Sequence, residues 1–201
     1  MPMFKTWFFL IGIVLVSSKT FCQNTAIPDN NFEQALIDLG LDTPPLNGQV
    51  PTNNINSIID LDVKSKNIQD LTGIEAFTAL QDLNCSTNLI TSLDLSEIET
   101  LKTLNCSNNE LKILDFSKYL NLENLNCSSN KLTGLNIKNG NIWNLSINVQ
   151  NNPDLTCVTV DDTEIAVSKW SNDYNQITFS EDCDGIYPEL TYIPNDDFEQ
   201  I

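Results

Sequence analysis

Three cysteines, Cys85, Cys106 and Cys127, stand 21 residues apart, each in the setting Leu-Asn-Cys-Ser. Thiols in so regular a column could recruit a soft metal as thiolates, pair as disulfides, or fill space as small hydrophobes. Pairing is poor chemistry here, because side chains in register project in parallel and three thiols leave one over. They are read as buried free thiols, with no metal and no cofactor. The acidic pairs Asp60 and Asp62, Asp161 and Asp162, and Asp182 and Asp184 raise calcium, which takes several oxygen ligands. None sits in a D-x-D-x-D-G loop followed by a distant Glu, so they are read as solvated surface charge.

The residue types that are missing narrow the chemistry further. Among 201 residues there is no His and no Arg; all ten basic residues are Lys, against 27 Asp and Glu. Without His there is no imidazole base and no Ser-His or Cys-His nucleophile pair. Without Arg there is no bidentate clamp for phosphate or carboxylate. A net charge of −17 repels phosphate backbones, which excludes nucleic acid as a partner. The chain is therefore not expected to be an enzyme.

The N-terminus sets the compartment in which the cysteines are read. Lys5 precedes an apolar run from Trp7 to Val16, and a polar stretch Ser17 to Thr20 follows. That length suits a signal-peptide core and is too short to span a bilayer. Residues 1–22 are read as a signal peptide cut after Cys22, so a secreted or cell-surface protein is expected, with no membrane insertion after its removal.

The elements that position these residues follow from internal repetition. Leu80-x-x-Leu83-x-Cys85-x-x-Asn88 recurs as Leu101, Leu104, Cys106, Asn109 and as Leu122, Leu125, Cys127, Asn130. Each block continues with an apolar pair: Leu93 and Leu95, Leu114 and Phe116, Leu135 and Ile137. Imperfect coils flank them, giving about five over residues 59–156. A period of this length lets one strand and a return segment complete a solenoid turn, each coil burying its leucines against its neighbours. The fold class expected is an α/β solenoid, a short leucine-rich-repeat horseshoe with a parallel concave sheet. Alternation sends Leu83 and Cys85 inward and Asp82, Asn84 and Ser86 onto the concave face. The same reading places Thr103, Asn105, Ser107, Asn124, Asn126, Ser128, Asn144, Ser146 and Asn148 there, with Trp143 as the one candidate aromatic anchor. Asn88, Asn109 and Asn130 are read as structural, turned inward to satisfy backbone groups at the bend.

A solenoid has two raw apolar ends that must be covered. Residues 23–58 are read as an N-terminal helical cap and loop, with Asn30 as N-cap, Glu33 closing a capping box, Phe32, Leu36 and Leu39 on the buried face, and Gly40 as the stop. Asn152-Pro153 is read as the end of the repeat, and residues 157–187 as a C-terminal cap closed by a Cys157–Cys183 disulfide, worth about 3 kcal/mol in the chain-entropy picture.

The opening Ile27-Pro-Asp-Asn-Asn-Phe-Glu-Gln, the repeated L-N-C-S-x-N and the closing Asn151-Asn-Pro-Asp-Leu-Thr-Cys-Val resemble the secreted leucine-rich-repeat proteins of the Bacteroidetes, particularly flavobacteria, with internalin-like repeats. The resemblance covers most of the chain after residue 22. It implies an extracellular interaction protein without catalytic residues, binding an unknown extracellular protein or glycan at the cell surface. An accessory module of a larger secreted enzyme and a structural spacer are the alternatives. Ile193-Pro-Asn-Asp-Asp-Phe-Glu-Gln200 repeats the opening motif, so residues 188–201 are read as the start of a second, truncated module.

Overall fold

The structure is a computed structural model that describes residues 23–183. The readings of residues 1–22, of Asp184 and the rest of the C-terminal cap to residue 187, and of residues 188–201 lie outside these residues.

Strands β1 (Asn24–Ala26) and β2 (Gln49–Pro51) pair antiparallel and frame helix α1 (Asn30–Asp38); a short helix α2 (Thr52–Ile55) leads into the coils. The coils contribute β3 (Asp60–Asp62), β4 (Asp82–Asn84), β5 (Thr103–Asn105), β6 (Ile113–Asp115), β7 (Asn124–Asn126), β8 (Gly134–Asn136), β9 (Ser146–Asn148) and β10 (Cys157–Thr159). Helix α3 (Thr163–Trp170) and β11 (Thr178–Ser180) follow.

Winding places these strands in two parallel sheets. The inner sheet runs β3-β4-β5-β7-β9 and the outer sheet β11-β10-β8-β6. The outer sheet is a finding: the apolar pairs read only as return segments are themselves partly strands, with Leu114, Leu135, Val158 and Phe179 in register and buried. The inner sheet has five strands. A further turn follows them, in which α3 stands where an inner strand would be and β11 supplies the outer one, so the solenoid has about six turns.

Between the sheets the leucines stack in columns. Leu61, Leu83, Leu104, Leu125 and Ile147 are aligned across the inner sheet and buried. Two residues on, the column reads Val63, Cys85, Cys106, Cys127 and Val149, all buried. Valine at both ends of the cysteine run shows what the site asks for: a small apolar side chain. Burial raises the thiol pKa of Cys85 and Cys127 to about 12, and that of Cys106, with a thiol on either side of it, well above the ordinary value. All three are free.

Each bend is closed by a buried asparagine that reaches back one coil. Asn109 accepts from the Ile90 N–H at 3.0 Å and donates to the carbonyls of Cys85 and Cys106 at 3.1 Å. Asn130 does the same with Leu111, Cys106 and Cys127, and Asn88 with Lys66, Ile68, Val63 and Cys85. A fourth rung was not foreseen. Asn152 accepts from Leu132 N–H and donates to Cys127 and Val149, so the repeat continues through the Asn152-Pro153 step.

At the N-terminal end the helix is present, but its capping differs from the expectation. Asp29, not Asn30, is the N-cap: its Oδ1 accepts from Asn31 and Phe32 N–H at 2.8 and 3.0 Å. Its Oδ2 accepts from Gln69 and Asp70 N–H, tying the helix to the first coil. Glu33 makes no capping box. It is fully buried, and its carboxylate takes the Asn47 and Gly48 N–H groups. Leu39, placed on the buried face, is 48 % exposed, because it is the C-cap and the chain has left the helix there. Gly40 does terminate the helix. At φ +74 it lets the Gly40 and Leu41 N–H groups return to the Ile37 and Leu36 carbonyls, a Schellman closure.

At the C-terminal end the Cys157–Cys183 disulfide is formed. Trp170 packs on Phe179 with ring centroids 5.6 Å apart. The edge of β9 and the loop before it would leave carbonyls bare. Lys169 donates its ammonium hydrogens to the Ile142, Trp143 and Leu145 oxygens at 2.7 to 3.1 Å, and Tyr174 its hydroxyl hydrogen to Ile147 O at 2.9 Å.

Candidate binding face

The outward residues of the inner sheet form two rows. One reads Asp60, Asp82, Thr103, Asn124, Ser146; the other reads Asp62, Asn84, Asn105, Asn126, Asn148. Two outward positions of one three-residue register thus recur over five strands at the strand spacing of about 4.8 Å.

The second row has a fixed polarity. In Asn84, Asn105 and Asn126 the side-chain oxygen accepts twice, from the backbone N–H two residues on and from the hydroxyl of the same serine at 2.7 Å. Asn148 accepts from Gln150 N–H in the same way. Since the oxygen is turned into the bend, the NH₂ end of each amide is left toward the face, with no hydrogen-bond partner among the described residues.

Three expected members of the face are therefore not on it. Ser86, Ser107 and Ser128 are buried, at 5 to 9 % exposure, and orient the asparagines instead of meeting a ligand. The cause is the bend: Thr87, Asn108 and Ser129 adopt φ near +55 to +57, which ends strand alternation one residue earlier than extrapolation assumes. Asn144 also falls outside the rows. The last coil is one residue longer, so Ser146 pairs with Asn124 and Asn148 with Asn126, while Asn144 lies in the preceding turn and donates to Asn141 Oδ1. Asp82, Asn84, Thr103, Asn105, Asn124, Asn126, Ser146 and Asn148 do stand on the outward face.

Trp143, on the loop entering β9, is 71 % exposed, and Leu120 on the loop entering β7 is 67 % exposed. At the opposite end stand Asp60, Asp62 and Asp82; Lys64 pairs with Asp62 at 3.3 Å. Sequence reading set Asp60 and Asp62 aside as surface acid, although continuing the Asp82 and Asn84 register back by 22 residues reaches both. Among the described residues no group of three or more Cys, Asp or Glu is placed to hold a metal.

Shallow depressions follow this face: about 340 Å³ over Asp60, Asp82, Asn84 and Thr103, and about 190 Å³ over Thr103 to Asn148. A larger one, about 460 Å³, lies on the outer sheet between Ile113, Asp115, Asn136 and the Glu181–Cys183 stretch, spanned by the Lys138 ammonium on Glu181 O at 3.2 Å. The inner face has the stronger case, because it alone repeats one unpartnered donor in register across four coils.

No protein family profile and no curated protein sequence matches the chain. Solved structures do. The functional domain of InlJ from Listeria monocytogenes, described as including a cysteine ladder, is 25 % identical over 79 % of this chain and 47 % of its own, with a TM-score of 0.49. The internalin InlF of the same organism is 24 % identical over 67 % of this chain and 44 % of its own, with a TM-score of 0.53. Internalin C2 from that organism is 17 % identical over 72 % of this chain and 84 % of its own, with a TM-score of 0.45. The chain thus spans a little under half the length of the first two. Among the described residues no helix is long and apolar enough to cross a membrane. The fold is a parallel-sheet leucine-rich-repeat solenoid of the kind seen in the Listeria internalin InlF.

Proposed function

We propose that the chain is a non-catalytic binding module, secreted or held at a bacterial cell surface, whose inner sheet engages an extracellular protein or glycan. The observation that carries this is the row Asn84, Asn105, Asn126, Asn148: four side-chain amides in register on an open face with their NH₂ groups unpartnered. Buried donors and acceptors are closed throughout the coils, and on this face the same donor is left open at one repeated position of four successive inner strands. The apolar run before Cys22 and the Cys157–Cys183 disulfide support an exported chain.

A second reading rests on the repeated motif at Ile193 to Gln200. It retains the residues that matter in the first copy: Ile for Ile27, Phe for Phe32 and Glu for Glu33, with Asn, another good N-cap, in place of Asp29. On this reading the module is one of a tandem array that gains by avidity or serves as a spacer.

Glycan and protein arrays probed with the wild-type chain and with the double variant Asn105→Lys/Asn126→Lys test the proposal. Loss of the array signal in the variant is the expected result. Signal unchanged by two lysines in the middle of the row would place binding elsewhere on the molecule.

A further inference from the structure

We infer that the inner face takes a neutral, linear polyhydroxyl chain, an oligosaccharide lying across the strands, rather than an extended peptide. The inference rests on the binding reading above and names the ligand class for that same face.

Spacing supplies the first argument. Rungs recur at about 4.8 Å, whereas same-side groups of an extended peptide recur at roughly 6.7 Å, twice the rise per residue. A peptide laid across the sheet would be out of step by the second rung. One pyranose ring with its glycosidic oxygen advances by about one strand spacing, so each sugar can present an oxygen to each Asn NH₂.

The second argument is chemical. Sugar hydroxyls both donate and accept, and the face offers both partners: NH₂ donors at Asn84, Asn105, Asn126 and Asn148, hydroxyls at Thr103 and Ser146, and acceptor carboxylates at Asp60 and Asp82. Asp60 and Asp82 are direct cross-strand neighbours of like charge, which hydroxyl donors relieve. Asp60 and Asp82, which Lys64 leaves uncompensated because it pairs with Asp62, reject sulfated or uronate chains. Protein interfaces draw their energy from buried aromatic and Arg anchors, and neither row contains one.

Third, the exposed Trp143 stands on the loop at the β9 end, away from the carboxylates. A flat aromatic ring with a polar edge offers an apolar surface on which the carbon-bound hydrogens of a terminal ring can stack.

The test is side-chain amide NMR on the ¹⁵N-labelled chain, titrated with unsubstituted linear oligosaccharides of glucose, mannose, xylose and N-acetylglucosamine, two to six units long, with a sulfated hexasaccharide and with a hexapeptide library. The expected result is that one neutral series shifts the NH₂ signals of Asn84, Asn105, Asn126 and Asn148, and binds about tenfold more tightly at six units than at two, as more rungs engage. Trp143→Ala, a change at an exposed site, should weaken the six-unit ligand about fivefold through lost stacking. If peptides shift these signals and neutral sugars do not, the sugar assignment is overturned and the binding face stands. Tighter binding of the sulfated ligand overturns neutrality. If no probe moves the four signals, the sugar assignment and the binding-face reading both fall.

Discussion

Ser107 donates its hydroxyl hydrogen to the Asn105 side-chain oxygen at 2.7 Å, and this bond decides which end of the amide meets solvent. Replacing Ser107 by Ala removes one of the two bonds that hold the oxygen inward, leaving the weaker 3.2 Å contact from the backbone N–H. We expect Ser107→Ala to cost about 1 kcal/mol of stability, the net worth of one intramolecular hydrogen bond. The Asn105 amide should then rotate, seen as a loss of order in its NH₂ resonances while those of Asn84 are unmoved. An Asn105 amide equally ordered in the variant would show that the bend alone orients it.

Asn109 closes the bend of the coil before its own, and its loss strands the Ile90 N–H in the core and leaves the Cys85 and Cys106 oxygens with one amide donor each, from Asn88 and Asn130. Asn109→Ala should destabilise by about 2 kcal/mol, since one buried N–H left unsatisfied costs roughly 1–3 kcal/mol. Asn109→Asp should be no better, because a carboxylate cannot donate to the Cys85 and Cys106 oxygens. Urea unfolding would measure both; a loss under about 1 kcal/mol would mean that water replaces the amide.

The thiol column should be chemically silent. With Cys85 and Cys127 raised to about 12 by burial and Cys106 well above the ordinary range, thiolate is scarce at pH 8 and the sulfurs are enclosed. Iodoacetamide should leave the three untouched in the native protein and label all three in denaturant. Cys106→Val, which continues the pattern of Val63 and Val149, should cost less than about 1.5 kcal/mol. Cys106→Ser buries a hydroxyl and should cost more, about 1–3 kcal/mol. Rapid native labelling would refute the closed column.

Asp29 supplies the acid sensitivity of the N-terminal end. Burial pushes its carboxyl pKa up, but N–H bonds from Gln69, Phe32, Asp70 and Asn31 outweigh that, and the net shift is downward. A folded-state pKa below the unfolded one stabilises above the unfolded value and is lost as pH falls through the folded value. Asp29→Asn keeps one cap oxygen but turns NH₂ toward the Gln69 and Asp70 N–H groups, costing about 1–2 kcal/mol at pH 7. The gap between wild type and variant should close as pH drops below about 4. A gap independent of pH would show that the charge of Asp29 carries none of it.

How far the fold was legible in the chain depended on how local each rule is. The Leu-x-x-Leu-x-Cys-x-x-Asn spacing determines the column positions directly, because one period is one turn, and it locates Leu83, Cys85 and Asn88 without reference to anything distant. The disulfide was legible for a similar reason, as two cysteines left outside the repeat. Ser86, Ser107 and Ser128 were misplaced because strict alternation was carried past the strand into a left-handed residue. Asn144 was misplaced by a single added residue in the last coil. The role of Asp29 was hidden because half of its bonds go to Gln69 and Asp70, about forty residues away. The outer sheet was missed although its strands are no shorter than the inner ones, because the apolar pairs that mark it lack the fixed Cys and Asn that flag each inner strand.

The asparagine ladder also has a direction in time. Asn88, Asn109, Asn130 and Asn152 each complete the turn one coil nearer the N-terminus, so no coil is closed until the next has been added. A chain emerging N-terminus first can therefore be secured like a ratchet, every 21 or 22 residues locking the length already out. Lys66, at the matching position of the first coil, reaches instead to Asp38 of α1 at 2.9 Å. At the far end, the last click belongs to Lys169 and Tyr174.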